Sequence, residues 1–261
     1  MSLCIVSAFL DIGRNEWSAF SRSINQYFMN FMPYTKILHP MILYMDDRYS
    51  DYLKDLCKNA SHIKIIPINR KFLVDNIYAY SKLEREKEIM ESKEFKSLTQ
   101  HRQHHPECSK PEYNIMQHAK IDFVIYTIKN NILPSDYYAW SDFGYFQDIR
   151  KIPQKPLDLN NFDLTKVNFQ GINPITDQDF NINYTLLNAP ERIGGFFYLG
   201  SSNQLLKYQT LYHETCTKFH KLNIVDDDQH IMIRCLYKQP DLFKVHQLGG
   251  WHLIYLNFQQ K

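Results

Sequence analysis

The 261-residue chain lacks the features that mark several common protein classes. Its formal net charge at pH 7 is only +2, which argues against binding nucleic acid through a basic surface. It contains no GxGxxG and no Walker sequence, so neither a dinucleotide-binding fold nor a P-loop is supported. No apolar run is long enough to cross a bilayer. The apolar start at 3–10 lacks a basic leader and predicts a core strand rather than a signal peptide.

Cysteine is sparse, and its spacing is irregular. The five cysteines form no CxxC pair, a pattern that predicts reduced thiols in a cytoplasmic protein. One loop groups four ligand-type side chains that zinc would accept: His101, His104, His105 and Cys108. Because no second ligand pair lies at zinc-finger spacing, an exposed polar loop is the simpler interpretation, and the alternative of a metal site stays open.

The chain is rich in apolar and aromatic residues. Hydrophobic residues make up 44% of it and aromatic residues 15%, enough for a sizeable core. Apolar runs alternate with segments of helical periodicity, which predicts parallel βαβ units in one mostly parallel sheet with helices on both faces. We expect a single α/β domain over residues 1–261, with a helical and loop excursion at about 71–112. The pattern also predicts a first helix from Asn15 through Phe31 and two closing strands at 243–246 and 252–256.

Asp142 is the most informative residue. It follows the apolar run 137–141 and precedes a turn that contains Gly144. Ligands of open α/β sheets bind outside the carboxyl ends of the strands. A carboxylate at that position suits a divalent cation that carries a phosphorylated substrate. A simple turn former is the alternative interpretation.

Three basic residues are candidates for the same edge of the sheet. Arg14 follows the first strand in Asp11-Ile12-Gly13-Arg14, where the first βα turn commonly contacts a nucleotide and a guanidinium can bind a diphosphate. Arg22 lies further along and could face the same pocket. Lys120 shares a predicted helix face with Gln117 and could meet a phosphate or Asp142. For each of them, an ordinary solvent-exposed position is the alternative.

An acidic run, Asp226-Asp227-Asp228-Gln229, opens a late predicted helix. Capping and the helix dipole explain one or two acids at a helix start. Three in a row repel one another, so contact with a metal or an acceptor hydroxyl is a further interpretation. His246, which precedes Gly249-Gly250-Trp251, is either a neutral ligand or an ordinary polar residue.

Together these segments resemble the HtrL-type, WlaTC-like family of bacterial glycosyltransferase-like proteins, whose members occur among genes for surface polysaccharides. The resemblance runs nearly end to end and rests on the segments 5–9, 11–14, 17–23, 140–144, 194–197 and 228–229. It implies a GT-A-like (Rossmann-like) fold, a nucleotide-sugar donor and Mn²⁺ or Mg²⁺. GT-A enzymes usually hold the metal with a DxD motif. This chain has the single acid Asp142 there, which leaves His246 or a distant acid to complete the metal shell.

The resulting hypothesis is metal-assisted transfer of a sugar from a nucleotide-sugar donor to a surface glycan or glycolipid, of lipooligosaccharide or capsule type. The enzyme would work in the cytoplasm or peripherally on the inner membrane. Non-catalytic nucleotide or sugar binding and metal-dependent phosphotransfer are the alternatives. The expected donor contacts are Asp11, Gly13, Arg14, Arg22, Lys120 and Asp142. The expected acceptor contacts are Gly194, Gly195, Tyr145 and Trp251, the catalytic acids are Asp228 and Asp227, and the metal ligands are Asp142 and His246.

Overall fold

A computed structural model describes residues 1–260 and contains one seven-stranded sheet surrounded by eleven α-helices. The strands are β1 (Leu3–Phe9), β2 (Met41–Asp46), β3 (Ile63–Ile68), β4 (Tyr137–Ser141), β5 (Val167–Gly171), β6 (Ile193–Ser201) and β7 (Phe243–Gln247). The first six helices are α1 (Ile24–Phe31), α2 (Asp47–Leu56), α3 (Arg70–Asn76), α4 (Leu83–Glu91), α5 (Lys93–Leu98) and α6 (Pro106–Ser109). The others are α7 (Pro111–Lys129), α8 (Ile182–Asn188), α9 (Ser202–Lys221), α10 (Asp228–Lys238) and α11 (Ile254–Asn257).

The sheet has the strand order β3-β2-β1-β4-β6-β5-β7. All neighbouring strands pair in parallel except β6, which runs antiparallel to both β4 and β5. Because β6 is reversed, its amino end lies beside the carboxyl end of β4. The ends of β1 and β4 and the start of β6 therefore meet at one edge of the sheet.

The core has two layers, one on each face of the sheet. Alternate residues of β1 point to opposite faces, as strand geometry requires, so Cys4 and Val6 join one hydrophobic cluster and Leu3 and Ile5 the other. The first cluster also contains buried residues of α3, α4, α7, α9 and α10, and the second those of α1, α2 and α11. The predicted α/β fold, with a mostly parallel sheet and helices on both faces, is confirmed.

Two predicted elements were wrong. The chain does not form one helix from Asn15, because only a short 3₁₀ turn spans Arg14–Glu16 and α1 begins at Ile24. The side chain of Ser23 caps α1 by accepting a hydrogen bond from the backbone N–H of Gln26 at 3.1 Å. The predicted closing strand at 252–256 is instead the short helix α11. It follows a turn in which His252 has the left-handed φ of 58°.

The excursion predicted at 71–112 is almost entirely helical. It contains α4, α5 and α6 with most of α3, and its buried residues pack in the same core layer as α7. Within residues 1–260, no helix is both long enough and apolar enough to span a bilayer.

Aromatic side chains pack between α1 and the sheet and should contribute to the stability of the fold. Phe31 of α1 is fully buried and stacks on Phe143 with ring centroids 4.6 Å apart. Phe31→Ala should lower the free energy of unfolding by about 3–5 kcal/mol, because it leaves a cavity between α1 and the sheet. Met29→Ala on the same helix is the control, since Met29 is 66% exposed. Urea denaturation that gave the two variants equal midpoints would contradict this packing.

Candidate active site

A cleft opens at the edge where β1, β4 and the start of β6 meet. Asp142 follows β4 directly, and its backbone N–H donates to the carbonyl of Phe196 at 3.0 Å, which fixes it against β6. The larger part of the cleft has a volume of about 490 Å³. Its lining includes four cationic side chains, three carboxylates, a glycine and two aromatic rings: Arg14, Arg22, Lys120, Lys151, Asp142, Asp148, Asp228, Gly195, Trp251 and His252.

The ammonium group of Lys120 joins the two sides of this cleft. Lys120 is only 6% exposed, and its Nζ lies 3.0 Å from Asp142 Oδ1 and 2.7 Å from Asp228 Oδ2. It also donates to the carbonyl of Gly195 at 3.0 Å. Burial by itself would lower the pKa of Lys120, but the carboxylates of Asp142 and Asp228 outweigh burial and raise that pKa above its ordinary value. Lys120 is therefore a fixed cation at the floor of the cleft.

Asp142 is the more accessible of the two carboxylates. Its side chain is 34% exposed, and the indole N–H of Trp140 donates to Oδ1 at 2.7 Å. Trp140 lies on β4 two residues earlier, so the strand itself orients the carboxylate. Oδ2 lies 3.4 Å from the Lys120 ammonium. The indole thus holds Oδ1, while the Lys120 ammonium donates to Oδ2 and forms an ion pair with the whole carboxylate.

Gly195 is required by the approach of Asp228. A Cβ atom at position 195 would overlap the Asp228 carboxylate, which lies directly over the Gly195 backbone. The absence of a side chain lets α10 begin next to β6 and brings Asp228 within reach of Lys120. Gly194 has a different role, because a Cβ there would overlap the ring of Phe196.

The three consecutive acids at the start of α10 have three different partners. Asp226 pairs with His230, whose Nδ1 lies 2.7 Å from Asp226 Oδ2. Asp227 is the N-cap and accepts a hydrogen bond from the backbone N–H of Gln229 at 3.1 Å. Asp228 pairs with Lys120 and is the one of the three that lines the cleft. Two cations and a cap therefore offset part of the mutual repulsion expected from the sequence.

The burial of these acids shifts their pKa values. Burial, and after it the neighbouring Asp228, raises the pKa of Asp227 to about 8. Burial also raises the pKa of Asp228, although the Lys120 ammonium opposes this shift. For His230, burial alone would lower the pKa, but the Asp226 carboxylate outweighs it and raises the pKa to about 9.

Two guanidinium groups form the wall of the cleft nearest β1. Arg14 follows the turn at Gly13, donates from Nε to the Phe20 carbonyl at 2.8 Å and from Nη1 to the Tyr27 hydroxyl at 3.0 Å. Arg22 lies over the Tyr27 ring, with its guanidinium carbon 5.1 Å from the ring centroid. These contacts order both side chains and leave further N–H donors on each guanidinium.

The opposite wall contains residues that the sequence interpretation missed. Lys151 donates to the Trp251 carbonyl at 3.0 Å, and His252 packs on Phe196 with ring centroids 4.4 Å apart. Burial lowers the pKa of His252 to about 4, so this imidazole is neutral at physiological pH. The one sequence signal for this wall was the Gly249-Gly250-Trp251 segment, which predicted Trp251 alone.

Six predicted site residues lie outside the lining of this cleft: Tyr145, His246 and a group of two acids and two glycines. Asp11 accepts hydrogen bonds from the Gly13 N–H and the Tyr49 hydroxyl, both at 2.9 Å, and lines a neighbouring pocket beside Asp46 and Arg70. Gly13 itself, with φ of 72°, forms the turn before Arg14. The other two members of this group are Gly194 and Asp227, whose contacts are given above.

Tyr145 and His246 differ more strongly from their expected roles. Tyr145 has no exposed surface, and its hydroxyl accepts the backbone N–H of Ile254, so no face of its ring is open for a sugar. His246 lies on β7, which β6 and β5 separate from β4, and its Nε2 is 2.8 Å from Asn168 Oδ1. The structure therefore does not bring His246 and Asp142 together around one cation.

The histidine-rich loop shows no convergent ligand set. His101 Nε2 lies 2.7 Å from the Leu187 carbonyl, His105 Nδ1 lies 3.3 Å from Glu107, and Cys108 is buried. Among the described residues, the one group whose ligand atoms lie close enough together for a metal is Asp226, Asp227 and His230. That group is buried and internally hydrogen-bonded, and it does not line the cleft.

The residues around Asp142 do not fit the divalent metal that the family resemblance implied. A cation bound to either oxygen of Asp142 would lie close to the Lys120 ammonium, and Asp228 already pairs with that same ammonium. Two unit positive charges about 4 Å apart repel by roughly 4 kcal/mol at an effective dielectric constant of 20, and a divalent cation beside the ammonium doubles this repulsion to roughly 8 kcal/mol. A divalent cation at Asp142 is therefore disfavoured while Lys120 keeps these contacts.

Comparison with known proteins gives three findings. The model of the family described as "Bacterial protein of unknown function (HtrL_YibB)" matches residues 1–260. Protein HtrL of Escherichia coli (strain K12) is 29% identical over 262 residues, which cover 95% of this chain and 88% of that protein. Mouse xyloside xylosyltransferase 1, in its apo form, matches with a TM-score of 0.45 and 10% identity over 94% of this chain and 84% of that chain. A structural likeness this distant assigns neither an activity nor a residue.

The raised pKa values at the start of α10 predict a pH-dependent stability. In the folded protein the pKa values of Asp227 and His230 lie above their ordinary values of 3.8 and 6.5, so both side chains hold their protons more tightly. Their contribution to the free energy of unfolding is complete below those ordinary pKa values. It is lost as the pH rises through about 8 for Asp227 and about 9 for His230, so the free energy of unfolding should fall between about pH 5 and 9. Asp227→Asn keeps the cap and removes one titration, so its unfolding free energy should fall less steeply between about pH 5 and 8. Parallel wild-type and variant curves in urea titrations would contradict this assignment.

Proposed function

Because the chain belongs to the HtrL_YibB family of bacterial proteins of unknown function, we propose its activity from the chemistry of the cleft. The activity is transfer of a sugar from a nucleotide-sugar donor to a hydroxyl of a glycan or glycolipid acceptor. The observation that carries this proposal is that one cleft combines a wall of guanidinium groups, a buried carboxylate and an indole.

The donor side is the wall formed by Arg14 and Arg22. The leaving group of a UDP- or GDP-sugar is a nucleoside diphosphate, and a guanidinium group binds phosphate oxygens with two parallel N–H donors. Both arginines are half-buried and already ordered by Tyr27, so little side-chain entropy is lost when a diphosphate binds. Lys151 on the other wall adds a third positive charge. These cations stabilise the negative charge that develops on the leaving diphosphate.

The acceptor side is the wall formed by Asp228, Gly195 and Trp251. Sugar transfer breaks the bond from the sugar C1 to the phosphate oxygen, whose electron pair leaves with the nucleoside diphosphate. The acceptor oxygen forms the new bond to C1 and loses its proton. We assign Asp228 as the base that takes this proton, because it lines the cleft and burial raises its pKa toward the working pH. Trp251 offers an indole face on which a sugar can stack.

A panel of UDP-, GDP- and CMP-sugars tests this function against its two alternatives. We expect one donor to be hydrolysed slowly to its free nucleotide, and faster when a suitable glycan acceptor is present. Saturable binding without turnover would instead indicate a binding module, and release of inorganic phosphate would indicate a phosphotransferase. Either of these results would contradict the proposal.

Two isosteric substitutions at the start of α10 separate catalysis from capping. Asp228→Asn should lower turnover by about 10²–10⁴-fold with little change in donor affinity, because a positioned base is lost. Asp227→Asn is the matched control. It preserves the cap and should keep nearly full turnover, since Asp227 does not line the cleft. Steady-state kinetics, with donor affinity from calorimetry, check both variants. Equal losses of turnover in the two variants would assign the effect to the helix start as a whole.

A further inference from the structure

The position of the Lys120 ammonium is unusual for a lysine in a cleft. It is buried, and three acceptors surround it: two carboxylates and the Gly195 carbonyl, all within 3.0 Å. An ammonium group has three N–H donors, so these partners use its whole hydrogen-bonding capacity. Lys120 Nζ therefore has no N–H left with which to bind a substrate directly, and its effect on the cleft is exerted through Asp142 and Asp228.

The place that Lys120 Nζ occupies is the place a bridging cation would need. Divalent ions such as Mg²⁺ and Mn²⁺ bind carboxylate and carbonyl oxygens. The oxygens that converge here, from Asp142, Asp228 and Gly195, are ligands of that kind, and Lys120 Nζ lies among them. The side chain that supplies this charge comes from α7, so it is part of the fold and does not exchange with solvent ions.

The charges elsewhere in the cleft agree with this arrangement. Arg14, Arg22 and Lys151 line the cleft in addition to Lys120, whereas the third carboxylate, Asp148, already pairs with Arg150 at 2.8 Å. A nucleoside diphosphate would therefore meet three cations other than Lys120. Its charge can be balanced by side chains alone.

We infer that the Lys120 ammonium takes the place of a divalent metal ion in this cleft, so that the two carboxylates are organised, and the donor is bound, without a metal. Metal-free binding of the donor rests on the proposed function, whereas the cation preference of Asp142 and Asp228 is independent of it. Lys120 is accordingly a positioning residue.

Removal of the ammonium tests the inference directly. Lys120→Met keeps an unbranched side chain that is one atom shorter but leaves two carboxylates without a cation, so the variant should acquire a Mn²⁺ site. The loss of electron paramagnetic resonance signal from free Mn²⁺, measured on the full chain without any nucleotide, reports binding. We expect the variant to bind Mn²⁺ at least about tenfold more tightly than wild type, because a neighbouring positive charge has been removed. In Lys120→Met/Asp142→Asn, this gain should disappear.

Lys151→Met is the matched control, because it removes a cation of the same cleft that pairs with neither Asp142 nor Asp228. It should bind no more Mn²⁺ than wild type. The inference is overturned if wild type binds Mn²⁺ and Asp142→Asn abolishes that binding. It is also overturned if a folded Lys120→Met gains none.

The wild-type protein provides a second test that does not depend on the folding of a variant. After treatment with EDTA, wild type should bind the donor nucleotide and turn over as before, with no stimulation by added Mn²⁺ or Mg²⁺. Strong dependence on added metal overturns the inference while leaving sugar transfer intact. Absence of turnover with every donor contradicts the proposed function, and the Mn²⁺ measurements then still decide the cation preference of the carboxylates.

Discussion

The ion pairs of Lys120 with Asp142 and Asp228 are the interaction on which the cleft depends. They join α7, the end of β4 and the start of α10, and the two ends of the Lys120–Asp228 pair are 108 positions apart in the sequence. Without the ammonium, the buried carboxylate of Asp228 would lie near that of Asp142 with no cation between them. A buried pair that loses one partner leaves an uncompensated charge, which is strongly destabilising. The same contact therefore serves the stability of the fold and the shape of the cleft.

The fold makes this contact through one reversed strand. Because β6 runs antiparallel, Gly195 lies beside Asp142 at the edge where ligands of α/β sheets bind. Gly195 has no Cβ, so Asp228 approaches its backbone, and Lys120 reaches all three residues from α7. The walls of the cleft are built more locally. Tyr27 orders both Arg14 and Arg22, and a turn with a left-handed His252 positions the opposite wall.

The parts of the site that sequence reasoning predicted are those governed by local rules. A polar residue at the end of a strand faces the ligand edge of the sheet, which placed Asp142, and residues after the first strand face the same edge, which placed Arg14. The helical repeat that relates Gln117 to Lys120 predicted that Lys120 could meet Asp142. The family resemblance was also confirmed over nearly the whole chain.

The Lys120–Asp228 contact could not be predicted, because it depends on how distant helices pack. The pattern of residues also did not show that Tyr145 is covered by core residues, or that two strands separate His246 from β4.

We propose that this cleft binds a nucleoside diphosphate through side-chain cations. A crystal structure of the protein with uridine or guanosine diphosphate, grown with Mn²⁺ present, tests it most directly. We expect diphosphate oxygens within hydrogen-bonding distance of Arg14 or Arg22, with the Lys120 ammonium still between Asp142 and Asp228. The proposal would be contradicted by a diphosphate bound in the neighbouring pocket beside Asp46 and Arg70, or by Mn²⁺ bound to Asp142 with the Lys120 ammonium displaced.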